Sequence, residues 1–234
     1  MKSAIAIVIP VFNPHEKWEK ILVERFLELK NQMSAHDFKL YLINDGSVTN
    51  VSSTEIDFIK SSLPDFVFIN NLHNSGKGFA LRAAIAQTTE NHILYTDIDM
   101  PFTLNSMTEI IKNLEANDVV FGIKKKEYYQ QLPFQRKMVS TILQRIIKLL
   151  FPSLPVSDTQ CGLKAMNVKG KNIFLQTKIN RYLFDLEFIL YSSKSNLKIK
   201  PIPVALREGI VFGNMNYKIL LQESKNLWKI LRRK

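Results

Sequence analysis

Ile93-Leu94-Tyr95-Thr96-Asp97-Ile98-Asp99 is a short apolar run that ends in two carboxylates one residue apart. Four apolar or β-branched residues bounded by polar ones read as a buried strand, which places the acids at its carboxyl end. In extended backbone, residues i and i+2 point to the same side. Asp97 and Asp99 can therefore converge on one cation, and two hard oxygen donors suit a divalent ion that carries a diphosphate. Taken alone, the pair reads equally as a solvated turn, so the surrounding sequence decides.

Outward from this strand, the first half alternates strand and helix. Strands are predicted at residues 4–9, 39–43, 66–69, 93–96 and 119–122, and helices at 17–33, 77–87 and 106–116. Asn44-Asp45-Gly46-Ser47 is a strong turn signal after the second strand. Buried, non-alternating strands separated by helices predict an α/β fold with a mostly parallel sheet between helices. The second half is less regular. A long helix over 134–151 carries a wide apolar stripe through Met138, Val139, Ile142, Leu143, Ile146, Ile147, Leu149 and Leu150, with Arg136, Ser140, Gln144 and Lys148 on its polar side. A loop leads into a short strand over 158–166. A helix follows at 183–192 and a strand at 199–206. A last amphipathic helix over 217–231 puts Tyr217, Leu220, Leu221, Leu227, Trp228 and Leu231 on one face. No repeat or linker interrupts residues 1–234, which predicts one domain, a regular first half at 1–122 followed by a less regular second half at 123–234.

Composition narrows the class. The chain of 234 residues is 46% apolar, enough for a packed core. Its single cysteine, Cys161, excludes an internal disulfide and fits a reducing, cytoplasmic setting. The four histidines are scattered, without zinc spacing. No apolar run is long enough to span a bilayer, and Met1-Lys2 with residues 4–12 reads as a first strand rather than a signal peptide, since Pro10 interrupts it. The net charge of +11 is uneven: residues 122–150 carry seven Lys/Arg against Glu127 alone, and residues 198–234 carry nine against Glu208 and Glu223. Nucleic acid, a phosphorylated substrate or an anionic membrane would each match such patches. Nucleic acid is disfavoured, because aromatics do not interleave the basic residues and the acidic pair would sit badly on a phosphate backbone.

Three polar motifs lie at the carboxyl ends of predicted parallel strands, where open α/β sheets collect ligands. They are Pro10-Val11-Phe12-Asn13, Asn44-Asp45-Gly46-Ser47 and Asp97-Ile98-Asp99. Asp45 suits a base N–H or a ribose hydroxyl. Asn74-Ser75-Gly76-Lys77-Gly78 opens a helix, and its amides and lysine can hold an anion, although its spacing is not that of a P-loop.

In order and spacing these motifs resemble the family-2 glycosyltransferases, which have the GT-A fold and use nucleotide-sugars with Mg²⁺ or Mn²⁺. Asp158-Thr159-Gln160-Cys161-Gly162-Leu163-Lys164, Phe184-Asp185-Leu186-Glu187 and the Arg136/Ser140 pair are similar to segments of the polyprenyl-phosphate group, the dolichyl-phosphate mannose and glucose synthases. The chain departs from the pattern in three places. Asn44 stands where an aspartate is usual. Pro101 stands where a polar residue can ligate the metal. Lys124 stands where an arginine often follows the fifth strand, and a lysine lacks the arginine fork. Many relatives also carry C-terminal transmembrane helices.

The resemblance implies an inverting, single-displacement transfer from a nucleotide-sugar to a polyprenyl phosphate. Asp97 and Asp99 would hold the metal, and Pro10, Phe12, Asn13, Asp45, Gly76, Lys77 and Asp97 the donor. Lys124, Arg136 and Ser140 would position the acceptor phosphate, which is largely dianionic at neutral pH and needs cations more than a base. Asp158 is the expected base or acceptor-orienting group, and Asp99 with Asp158 forms the expected catalytic pair. The basic amphipathic helices suit peripheral attachment to the cytoplasmic leaflet, or a membrane-anchored partner subunit. The competing expectation is a family-2 enzyme that decorates a glycan.

Overall fold

The computed structural model describes residues 3–124, 126–130, 132–210 and 217–233. The elements run β1 (Ser3–Val11), α1 (Trp18–Gln32), β2 (His36–Asp45), α2 (Ser53–Ser62), β3 (Val67–Asn71), α3 (Lys77–Ala86), β4 (His92–Tyr95), α4 (Leu104–Asn113) and β5 (Val119–Lys124). They continue with α5 (Lys126–Gln130), α6 (Phe134–Leu150), β6 (Lys164–Asn167), α7 (Val168–Phe174), α8 (Phe184–Lys194), β7 (Ile199–Val204) and α9 (Tyr217–Arg232). The strands form one seven-stranded sheet in the order β3-β2-β1-β4-β6-β5-β7.

The pairings are parallel except at β6, which runs antiparallel to both β4 and β5. The α/β expectation holds, with this one inversion in an otherwise parallel sheet. Ala165 faces Leu94 on one side and Val120 on the other. A segment from the second half is thus wedged into the sheet of the first. The expected boundary at 122 falls inside β5 and cuts through this sheet. The edge strand β7 carries Pro201 and Pro203, which have no N–H to offer another strand.

β1 shows how sequence sets the two layers. Ile5, Ile7, Ile9 and Val11 point into a core shared with α1 and α4. The alternate residues Ala6 and Val8 point into a second core with Ala80 and Ala84 of α3. The smaller side chains on that face let α3 lie close to the sheet, the period-two alternation that a strand covered on both faces requires. Three short helices were not evident from periodicity. One of them, α2, buries only Ile59, and a capping box between Ser52 and Glu55 starts it.

Candidate functional site

The loops after β1, β2 and β4 meet at the carboxyl edge of the sheet. Asn13 ties the first two together: its side-chain oxygen accepts from the Val48 amide at 2.9 Å, and its own amide donates to Ser47 Oγ at 3.0 Å. Asn44 holds the β2 turn, donating to Asn70 and accepting from the Ser47 amide. Pro10 is partly buried at the end of β1, and Phe12 stands half-exposed on the rim.

Asp45 is buried, and its two oxygens accept the Ser75 and Gly76 amides at 3.0 and 2.8 Å. The Gly78 and Phe79 amides donate to the Asn180 carbonyl. The expectation that this helix entry offers its amides to an anion is therefore corrected, since four of them already have protein acceptors. What it presents is Lys77, whose ammonium pairs with Asp97 at 2.5 Å. Gly76 is required at its place: φ is +99°, and a Cβ would lie 2.5 Å from the Asn180 carbonyl oxygen.

The acidic pair sits on a turn rather than on extended strand. β4 ends at Tyr95, and the Met100 amide donates to the Asp97 carbonyl at 2.9 Å. Met100 is fully buried with φ +40°, the left-handed region that a bulky residue avoids, so the turn is strained. The carboxylates sense each other through this turn and not through strand alternation. Burial, and then the Asp97 charge, push the Asp99 carboxyl above the ordinary aspartate range, against the pull of Arg207 and Lys77. Burial would lower the Lys77 ammonium, but the Asp97 and Asp185 carboxylates outweigh it and hold its pKa high.

The segment leading into β6 packs against this turn. A Cβ on Gly162 would stand 2.2 Å from Asp97 Oδ2, so the glycine makes room for the carboxylate. Asp158 is buried and accepts from the Lys124 amide at 2.7 Å and its ammonium at 3.3 Å. Burial would lower the Lys124 pKa, but Asp158 first, with Cys161 and Tyr129 behind it, outweighs burial and raises it. Tyr128 of α5 lies beside the Lys124 ammonium, and Tyr129 is bonded to both Ser140 and Gln144 of α6. Arg136 sits one turn before Ser140 on the same helix.

Beneath the site, Lys164 is fully buried between Asp185 (2.7 Å) and the Cys161 carbonyl (2.6 Å), and Tyr95 donates to the same Asp185. This motif lysine supports the floor. Cys161 is buried, and burial pushes its thiol up to about 11, so it is not a nucleophile.

Arg207 was not expected. The loop after β7 folds over the acidic turn, where the Arg207 amide donates to the Pro101 carbonyl at 2.9 Å and its guanidinium to the Asp99 carbonyl at 3.3 Å. Its Nε is buried without a partner among the described residues. No local pattern marks it, because the contact spans 108 positions.

The donor set fits a divalent cation. Two carboxylates share one turn, where burial first and the Asp97 charge second raise Asp99, and among the described residues no third His, Cys, Asp or Glu joins them. A magnesium-type ion needs one or two carboxylates and completes its shell with water and substrate phosphates.

The open, largely parallel sheet with acids at its strand ends is an α/β architecture of GT-A type. The solved structure of M. tuberculosis glucosyl-3-phosphoglycerate synthase superimposes with a TM-score of 0.67 at 17% identity, covering 98% of this chain and 79% of that one. Residues 6–174 match the sequence profile of Glycosyl transferase family 2, and the chain belongs to that family. Among curated relatives, the dolichyl-phosphate beta-glucosyltransferase ALG5A of Trichomonas vaginalis is 23% identical over 236 residues, covering 97% of this chain and 72% of that protein. The dolichyl-phosphate beta-glucosyltransferase of Dictyostelium discoideum is 24% identical over 214 residues, covering 86% of this chain and 65% of that protein. The chain thus spans about two thirds of the length of such relatives.

Proposed function

We propose that this protein moves a sugar from a nucleotide-sugar donor onto a polyprenyl phosphate at the cytoplasmic face of a membrane, with inversion at the sugar. One observation carries the reading: α6 joins phosphate chemistry to an apolar surface. On its inner side Ser140 and Gln144 bond Tyr129, next to the Lys124–Asp158 pair. On its opposite side Phe134, Met138, Ile142, Ile146 and Leu149 form an exposed apolar stripe, with Leu149 81% exposed. Lys137, Arg145 and Lys148, all exposed, border that stripe at helical spacing. A phosphate on a hydrocarbon tail needs both sides, and the basic border suits an anionic leaflet. The dolichyl-phosphate relatives support the acceptor class.

In this reading Phe12 receives the nucleotide beside the loop that Asp45, expected as a nucleotide contact, instead anchors through the Ser75 and Gly76 amides, and Lys77 with the Asp97–Asp99 turn faces the donor diphosphate. A divalent cation held by Asp97 and Asp99 would supply charge stabilisation for the departing diphosphate. Lys77 and Arg207 add fixed positive charge there. Lys124, Arg136 and Ser140 position the acceptor phosphate, which attacks without needing a strong base. Asp158 then acts by aiming the Lys124 ammonium, as their direct pairing suggests.

The test is transfer itself. Purified protein is incubated with radiolabelled nucleotide-sugars, glucose donors first, together with Mg²⁺ and a short polyprenyl phosphate. Label should enter the organic phase, and Asp97→Asn with Asp99→Asn should reduce it at least a hundredfold. Label appearing only on a water-soluble glycan would overturn the acceptor and favour glycan decoration.

A further inference from the structure

We infer that a second anion site lies away from the acidic turn, in a cleft of about 220 Å³ between the 178–181 loop and α9. Lys178 and Arg181 line it from the loop, Lys229 and Arg233 from the helix, with Ser75 and Asn226 between them. Arg233 spends its charge on Glu187 at 3.1 Å, and among the described residues no ion pair holds Lys178 or Lys229. The other nearby acid, Glu223, is engaged by the Leu183 amide and by Asn226. Lys229 and Arg233 can be explained by the negative end of their helix and Arg181 by the Glu223 carboxylate it acts on, but Lys178 belongs to a different segment and has no such cause. So much like charge in a small concavity calls for a counterion.

The cleft is also built rather than fortuitous. Glu187, almost fully buried, accepts the Lys178 and Ile179 amides at 2.7 Å each. Arg82 bonds Thr177 and the Ile179 carbonyl from the other side. The loop is therefore fixed before any ligand arrives. The chemical class that fits the Lys178 and Lys229 ammonium groups, with the Arg181 guanidinium and the Ser75 hydroxyl beside them, is a phosphate or diphosphate group. It could come from a free phosphate compound or from the head group of an anionic lipid. The same loop caps α3 through the Asn180 carbonyl and packs on Gly76, so the cleft borders the segment that carries Lys77. This inference does not depend on the acceptor proposed above.

Two measurements on the intact protein test it. Calorimetric titration with inorganic diphosphate, in EDTA, reads the soluble source. Co-sedimentation with phosphatidylglycerol vesicles, against phosphatidylcholine vesicles, reads the lipid source. In Lys178→Ala/Lys229→Ala, at least one of these should weaken fivefold or more, and Lys178→Arg/Lys229→Arg should restore it. Loss of diphosphate binding assigns a free phosphate ligand, and loss of vesicle binding alone assigns a lipid head group. Lys20→Ala/Lys30→Ala removes equal charge from α1 and should change neither. An unchanged alanine variant, or an equal effect of the α1 control, overturns the site. If the double alanine variant melts early, Lys229→Ala alone carries the same comparison at about half the effect on a logarithmic scale.

Discussion

Gly162 has no side chain because Asp97 occupies the space a methyl group would need. Gly162→Ala would set a Cβ 2.2 Å from the Asp97 carboxylate, which sits at the free end of a side chain and can swing away. Little stability should be lost, with the melting temperature within about 2 °C, while kcat/KM should fall tenfold or more because Asp97 has moved. A variant with full activity would show that Asp97 does not need its position. The Lys124–Asp158 pair behaves differently, since both side chains are nearly buried, 9% and 11% exposed. Lys124→Met strands a buried carboxylate and should cost about 3 kcal/mol at neutral pH. The folded state raises the Lys124 pKa, so its stabilisation is complete below the ordinary lysine pKa and is lost as pH rises through the raised one. The difference in urea midpoint between wild type and variant should stay constant from pH 7 to 9 and shrink in the alkaline range above. A difference that never shrinks would remove the ion pair as its cause. Asp97, Asp99 and Lys124 could be placed from sequence because each follows or ends a predicted strand, and Asp158 only through the motif it shares with the polyprenyl-phosphate group. Arg207 could not, because only the folded β7 loop brings it to Asp99.

At the scale of elements, periodicity predicted α6 but not which part of its wide apolar stripe faces inward. The structure divides it. Ile147 is buried and Leu143 and Leu150 pack on the core, whereas Met138, Ile142, Ile146 and Leu149 stand outward. Ile142→Glu/Leu149→Glu should therefore leave the unfolding free energy within about 1 kcal/mol, as exposed substitutions do. Binding to phosphatidylglycerol vesicles should fall at least tenfold. Unchanged vesicle binding would release the stripe for a membrane-anchored partner subunit. α9 reads the other way. Asn226, Leu227, Ile230 and Leu231 pack inward, and Trp228, expected on that face, is 54% exposed with Arg232 stacked on its ring. Tyr217, Leu220 and Leu221, also placed on that face, and Lys125 and Lys234 of the basic runs lie outside the described side chains. α2 was missed because it has one buried residue and hence no stripe, although Ser52 and Glu55 spell its capping box. β6 was read as a strand, but its direction depends on both neighbours, which local sequence does not contain.

At the scale of the molecule, one sheet binds both halves, so unfolding should be one event. The chain's two tryptophans report on each half: Trp18 is buried in α1 and Trp228 lies on α9. Urea transitions followed in Trp18→Phe and Trp228→Phe, each corrected for its own stability change, should have the same slope and be single. An extra plateau in either would reveal two independent units. The inverted strand has a consequence for how the chain is made. β5 is synthesised before β6 but joins the sheet only through β6 and β7, so Val119, Val120 and Phe121 emerge with no partner waiting. At ribosomal speeds of about 5–20 residues per second, that strand and the open flank of β4 stay uncovered for several seconds. During this interval a nascent chain presents two unpaired apolar strands, and a holding chaperone would find its target there.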